Sequence, residues 1–416
     1  MKQDDRIYTY MLEKTKQIKI DKYILIIVIK RAGLALRDWI FKKCVSIRNL
    51  SKVENDKIIV GFIAGTKTGI AGSSKILFEA MTEDSRFFPY LVYQESGGKN
   101  ILLNYTTNIY YRRDFTKIGL FLKTNIWITT HGDFGIPIDY KKYNQKRMEL
   151  WHGIPFKGFL EENRKRISDT FNRASAVIIT SKFFKELFSE EWNVKKRILK
   201  DLGQPRTDIL IKKPITIEKI KQNLGISQEK IIFYAPTHEQ DENKEKELFP
   251  WESDETFNKI VSNIDEKTAL IIRPHPYWKE LITPFVADKI ENDERVYYMP
   301  SNVVNETEKL IYISDVLITD WSSIYFDFLL MDKPTIFLDL PNPFKDNFLM
   351  KPEDRIGYLC SNSNELLVNI DESINNIESY HKKYDIRLRK LKSKVYSNTD
   401  GRATERCIEE IINLTE

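Results

Sequence analysis

From Lys57 onward, short runs rich in β-branched and aromatic residues alternate with helical stretches, and the alternation runs twice along the chain. That is the pattern of a parallel sheet covered by helices. In the first pass the strands fall at KIIVGFIAG (57–65), RFFPYLVYQ, NIWITT, RMELWH and SAVIITS, with a glycine-bearing loop, TKTGIAGSS, leading into the helix KILFEAM. The passage GQPRTDILIKKPIT (203–216) interrupts the pattern, which restarts at KIIFYAP (230–236), TALIIRP (268–274), RVYYMP (295–300), DVLITD (315–320) and PTIFLDL (334–340). The charged run HEQDENKEKELFPWESDE (238–255) lacks periodicity and reads as a surface loop, while residues from about Asn364 onward read as helical. The expected fold class is α/β, two Rossmann-like doubly wound domains facing a cleft. A chain of 416 residues with 42% hydrophobic side chains can fill two such cores.

The charge is unevenly placed. Residues 1–52 carry thirteen Lys/Arg against five Asp/Glu, whereas the remainder carries 52 against 55. A basic arm of this kind argues against a nucleic-acid-binding body, in which Lys and Arg would spread over a folded face. Within the arm, Tyr23–Ile29 is apolar but far shorter than the roughly 20 residues of a membrane span. The following RAGLALRDWIFKKC puts Arg31, Arg37, Asp38 and Lys42 on one helical face and Ala32, Leu36, Trp39 and Ile40 on another. This is the pattern of an interfacial helix on anionic lipid. Cys44, Cys360 and Cys407 fit neither a disulfide framework nor a zinc spacing, which points to a reducing, cytoplasmic setting. The boundaries drawn are 1–52 for the arm, 53–205 and 206–390 for the two domains, and 391–416 for a C-terminal helix packing back on them.

Ligands of open α/β sheets bind outside the carboxyl ends of the strands. Thr237, Arg273, His275, Asp320, Ser322 and Ser323 all follow second-half strands and should converge there. Ser322 or Ser323 would cap the next helix, leaving backbone N–H groups facing an anion; the plain alternative is a cap without a ligand. His152, in MELWHGIPFKG, and His275, in RPHP, sit at comparable places. Either is readable as a hydrogen-bonded core histidine, or as a base or phosphate partner. With no Asp-x-Asp pair and no metal-ligand spacing, no dedicated metal site is expected, leaving room for a diffusible Mg²⁺ on a diphosphate. Gly61, Gly65, Gly69 and Gly72 match neither the dinucleotide fingerprint nor the P-loop, so no tightly bound cofactor is inferred.

These motifs, in this order, resemble the CDP-glycerol glycerophosphotransferase family, enzymes of wall teichoic acid and related capsule polymers. The matching stretches are GSSKILFEAM (72–81), LWHGIPFKG (150–158), GQPRTD (203–208), YAPT (234–237), RPHP (273–276), LITDWSSIYFDF (317–328), KPTIFLDL (333–340) and DGRATERCIEEI (400–411). The resemblance implies a GT-B fold with the acceptor on the N-terminal domain and the CDP-alcohol on the C-terminal one. It implies His152 as the catalytic base and His275 as a second essential group. Arg273, Thr237, Ser322 and Ser323 would lie around phosphate oxygens, and Asp320 and Asp327 would orient the donor or its loop. Gly72, Ser73, Gly153, Lys157 and Arg206 fall on the acceptor or cleft side. Ile154, where many relatives have threonine, and His238, where they often have an aromatic, leave the donor alcohol open.

The expected reaction starts with a strand delivering His152 to the cleft, where Gly153 lets substrate approach the backbone. An acceptor hydroxyl, on a lipid-linked saccharide or a polyol-phosphate polymer, then attacks CDP-glycerol or CDP-ribitol and releases CMP. The basic arm would hold the enzyme on the anionic cytoplasmic face of the membrane. Two other readings stay open: a GT-B nucleotide-sugar glycosyltransferase, and a non-catalytic membrane-bound assembly factor.

Overall fold

The computed structural model describes residues 40, 56–64, 69–94, 106, 108–158, 161–237, 248–251, 253–275, 283–343 and 348–416. The arm lies outside the described residues apart from Ile40. Two all-parallel sheets form the frame. The first contains β1 (Ile58–Ile63), β2 (Phe87–Tyr93), β3 (Ile109–Tyr111), β4 (Ile126–Thr129), β5 (Lys146–Glu149), β6 (Ala176–Ile179) and β7 (Leu199–Asp201), in the order β3-β2-β1-β4-β5-β6-β7. The second contains β8 (Lys230–Tyr234), β9 (Thr268–Ile272), β10 (Val296–Tyr298), β11 (Val316–Thr319), β12 (Thr335–Leu338) and β13 (Tyr358–Cys360), in the order β10-β9-β8-β11-β12-β13. Their central strands are almost wholly buried, because helices cover both faces of a parallel sheet.

In each sheet the strand order reverses once, between β1 and β4 and between β8 and β11. A crevice opens at such a point, since the helices on either side diverge to opposite faces. The chain bends between the sheets at the short 3₁₀ turn Pro205–Thr207, and the two crevices face one another. Contacts between the halves are specific. Lys75 Nζ lies 2.9 Å from Glu306 Oε1, Asn305 Nδ2 donates to the Ile70 carbonyl at 2.8 Å, and the Phe156 ring packs 4.6 Å from Phe326.

The last helix, Ala403–Thr415, returns to the first sheet, where Cys407 and Ile411 join its core. Asp208 accepts from the N–H groups of Ala403 and Thr404, tying that helix start to the interdomain turn. The division drawn at residue 390 falls inside the continuous helix Ile377–Val395. Of the run 238–255, residues 238–247 and 252 lie outside the description, but the surface-loop reading fails at its end. Leu248 and Phe249 are buried, Phe249 stacking on Tyr234 at 4.7 Å, and a helix starts at Ser253.

Candidate functional site

Between the crevices lies a cleft of about 310 Å³. The first sheet's side of it is built by Ile70–Ser74, Thr130, His131, Trp151 and His152, and the second by Asn305, Thr307, Glu308, Ser322 and Ser323, with Arg206 and Asp327 between.

His152 is placed by the end of β5, not by the strand itself, which stops at Glu149. Trp151 turns the chain with a positive φ of 56°, a strained conformation for a bulky residue, and aims the next side chain at the cleft. The turn is fixed from beneath by Glu149, which is fully buried with Arg147. Its carboxylate accepts from Arg147 Nη1 at 2.8 Å, Thr129 Oγ1 at 2.7 Å, the Gly132 N–H at 2.9 Å and the Trp151 N–H at 3.3 Å. One carboxylate therefore anchors both backbone segments that carry a cleft histidine. Above it, His131 and His152 stack with centroids 4.7 Å apart.

The His152 Nδ1–H donates to the Thr130 carbonyl, with Nδ1 3.4 Å away. That tautomer leaves Nε2 with a free lone pair. Its ring is open to solvent in the cleft, so the shift is tempered, but desolvation by the cleft walls and then the neighbouring His131, Arg206 and His275 lower its pKa below the ordinary histidine value. His131, likewise open to solvent, is lowered as well, by partial desolvation at the cleft wall and against the pull of Glu149.

Arg206 clamps the cleft. Its Nε and Nη2 donate to Asp327 Oδ2 and Oδ1 at 2.7 and 3.1 Å, and its Nη1 donates to the His152 carbonyl at 2.9 Å. Gly153, with φ of 149°, passes so close that a Cβ there would lie 3.0 Å from Arg206 Nη2 and 3.6 Å from Ser323 Oγ. The space expected for substrate beside Gly153 thus holds the Arg206 guanidinium.

The sequence-derived residues divide in two. Gly72, Ser73, His152, Arg206, Ser322, Ser323 and Asp327 line the cleft, and Gly153 abuts it. His275, half-buried after β9, lies near enough for its charge to act on His152.

Others are turned to the fold. Arg273 donates to the carbonyls of Met299, at 2.9 Å, and Val304 and to Thr307 Oγ1 at 2.6 Å, so it shapes the loop bearing Asn305 and Thr307 rather than presenting a free fork. Asp320, fully buried, accepts from the Thr237 N–H at 2.8 Å and the Trp321 N–H at 2.7 Å, tying together the ends of β8 and β11. Lys157 pairs through its backbone with Phe348, away from the cleft. Ser323 precedes the helix Ile324–Leu329 without a side-chain capping bond, and the weak 3.4 Å contact from the Ile324 N–H goes to Ser322 Oγ. With only six residues, that helix is a poor dipole.

Two titratable cleft residues were not assigned to the site from sequence. His131 had a signal: THG follows β4 as WHG follows β5. Glu308, buried on the helix Thr307–Ile313, had none; burial first and then Glu306 push its pKa up to about 7, against Lys75 and Arg206. Among the described residues no group of three or more His, Cys, Asp or Glu is placed to hold a metal ion.

Residues 44–413 match the family described as CDP-glycerol:poly(glycerophosphate) glycerophosphotransferase. A teichoic acid poly(glycerol phosphate) polymerase of Bacillus spizizenii is 26% identical over 302 residues, 68% of this chain and 74% of that protein. A poly(ribitol-phosphate) polymerase of the same species is 22% identical over 396 residues, 91% of this chain but 59% of the relative. The wall teichoic acid polymerase TagF, as a variant soaked with CDPG, superposes with a TM-score of 0.73 at 18% identity, covering 93% of this chain and 96% of that one. At that identity the likeness speaks for the fold alone, which is GT-B-like.

Proposed function

This chain belongs to the CDP-glycerol:poly(glycerophosphate) glycerophosphotransferase family of enzymes, and from that premise we propose that it transfers a polyol phosphate from a CDP-polyol to an acceptor hydroxyl, releasing CMP. The donor is CDP-glycerol in the first instance, with CDP-ribitol as the variant, and the acceptor is a lipid-linked saccharide or a polyol-phosphate polymer. One observation carries the reading: His152 faces Ser322 and Ser323 across the cleft, in the tautomer that leaves Nε2 able to take a proton.

In this reaction His152 Nε2 removes the proton of the acceptor hydroxyl as its oxygen attacks the β-phosphorus. The bond from that phosphorus to the bridging oxygen breaks, and CMP leaves with the electron pair. A histidine of lowered pKa stays neutral and ready in the empty cleft. An incoming diphosphate, being anionic, raises its basicity at the moment the proton must move. The hydroxyls of Ser322 and Ser323, with His275, are the groups nearest to hand for the donor oxygens, and positioning supplies most of the rate. Mg²⁺ carried in on the diphosphate would share that charge, and EDTA titration of the reaction measures its part.

In this reading the basic arm holds the enzyme against the anionic cytoplasmic membrane surface, and removal of residues 1–52 is expected to reduce co-sedimentation with anionic vesicles. No helix among the described residues is long and apolar enough to cross a membrane. The deciding experiment is nucleotide release from CDP-glycerol, CDP-ribitol and UDP-sugars with a membrane-derived acceptor. CMP from a CDP-polyol, lost in His152→Ala by about 10²–10⁴-fold in kcat with donor binding retained, is the expected result. UMP release alone moves the chain to the glycosyltransferases.

A further inference from the structure

We propose that the amino end of the helix Gly72–Glu83 is an oxyanion subsite for the acceptor, holding a phosphodiester next to the hydroxyl that His152 deprotonates. The inference deepens the transferase reading and rests on it.

The helix is twelve residues long, its Ala71 cap offers no side-chain oxygen, and its first turn has no acidic residue. Its first backbone N–H groups therefore lack the usual side-chain acceptor, and the helix dipole adds positive potential there. Ala71, Gly72, Ser73 and Ser74 all line the cleft. Gly72 has φ of 54°, which bends the chain into the helix in a conformation that other residues resist.

The two serines are not equivalent. Ser73 Oγ donates to Gln204 Oε1 at 2.9 Å and accepts from the Arg206 N–H at 3.3 Å, so it fastens the helix to the interdomain turn. Ser74 Oγ is buried, with 4% of the residue exposed, and has no hydrogen-bond partner although the residue lines the cleft. A buried hydroxyl at a helix start with nothing to bond is poised for a ligand oxygen, because leaving it unpaired costs free energy.

Placement assigns the anion to the acceptor. The helix start belongs to the same wall as His131 and His152, while Ser322 and Ser323 stand opposite. Carboxylates on the far wall do not forbid an anion: Glu306 is paired with Lys75 and Lys309, and Glu308 is held partly protonated near neutrality. The acceptor class that fits carries a phosphodiester one unit from its attacking hydroxyl, the growing end of a polyol-phosphate chain rather than a neutral sugar.

The test is calorimetric binding of glycerophosphoglycerol to the full chain, with glycerol as the neutral control and with or without saturating CDP. Expected is binding of the diester but not of glycerol, retained with CDP present. Ser74→Ala should weaken it about tenfold or more, the worth of a hydrogen bond to a charged group. Ser74→Asp should abolish it, with circular dichroism and a melting curve checking that the carboxylate is accommodated at this buried helix start. Binding unchanged in Ser74→Asp, or displacement of the diester by CDP, overturns the proposal, the latter giving the subsite to the donor. No turnover is needed, so failure here leaves the transferase reading standing, whereas absent CMP release with the diester still bound would sink the transferase reading and with it the acceptor role, leaving a diester-binding site alone.

Discussion

The imidazoles of His131 and His152 lie parallel within 5°, their centroids 4.7 Å apart, on the cleft wall. Face-to-face rings cannot pass a proton between them, so they interact through charge, and a proton on either opposes one on the other. Around them stand Glu149 beneath, Arg206 and His275 at the cleft, and Asp133, which is engaged by Arg173. Since His152 must be neutral to act as base and its pKa is lowered, the acid limb of kcat/KM should lie below the ordinary histidine range of about 6.5. His131→Phe keeps the stack and removes the charge, so that limb should move toward neutral pH. A pH–rate profile that is the same in both proteins would deny the coupling.

Arg206 is the other member of the site that acts through geometry, gripping Asp327 with two N–H groups while holding the His152 carbonyl with a third. Lysine cannot reproduce that fork. We expect Arg206→Lys to lower kcat by more than its effect on donor binding. Arg206→Ala, which strands a nearly buried Asp327, should cost about 3–5 kcal/mol of stability in urea unfolding. A neutral outcome for Arg206→Ala would mean that the two halves are held by other contacts alone.

Much of the frame was readable because a strand buried on both faces must be a continuous apolar run, and β1, β4, β8, β9, β11 and β12 all are. Three-residue edges show less well: β10 was read from RVYYMP, whereas β3, β7 and β13 are set by their neighbours, not by their own sequence. The site divides by the same logic. A side chain's position after a strand brought His152, Ser322 and Ser323 to the cleft. Whether a polar group then turns outward depends on partners far away in sequence. Arg273, which the resemblance put at phosphate oxygens, finds carbonyls 26 and 31 residues on, and Asp320, which it had orienting the donor or its loop, finds an N–H 83 residues back.

The Arg147–Glu149 pair puts a charge at each of two same-face positions of β5, both wholly shut from water. Removing one partner leaves an uncompensated buried ion, so Glu149→Ala should cost about 3–5 kcal/mol, whereas replacing both by apolar residues should cost less. Activity should nevertheless fall in the double variant, because the Gly132 and Trp151 N–H groups lose the acceptor that fixes both histidine loops. Chemical denaturation together with kcat separates these effects. A fully active double variant would show that the loops hold themselves.

Glu308 offers a pH signature of the closed cleft. Its pKa in the folded chain, about 7, lies above the 4.5 of an unperturbed glutamate, chiefly through burial. The folded state therefore binds the proton more tightly than the unfolded one, and stability must fall as pH rises from about 4.5 to 7. Glu308→Gln keeps the shape and removes the titration, so it should leave the melting temperature unchanged near pH 4.5 and raise it at pH 8. The gain is bounded by about 3 kcal/mol, the worth of the shift. Parallel melting curves of the two proteins across that range would mean that Glu308 is solvated when the chain is in solution, and hence that the two sheets part further there than the Lys75–Glu306 and Arg206–Asp327 contacts allow.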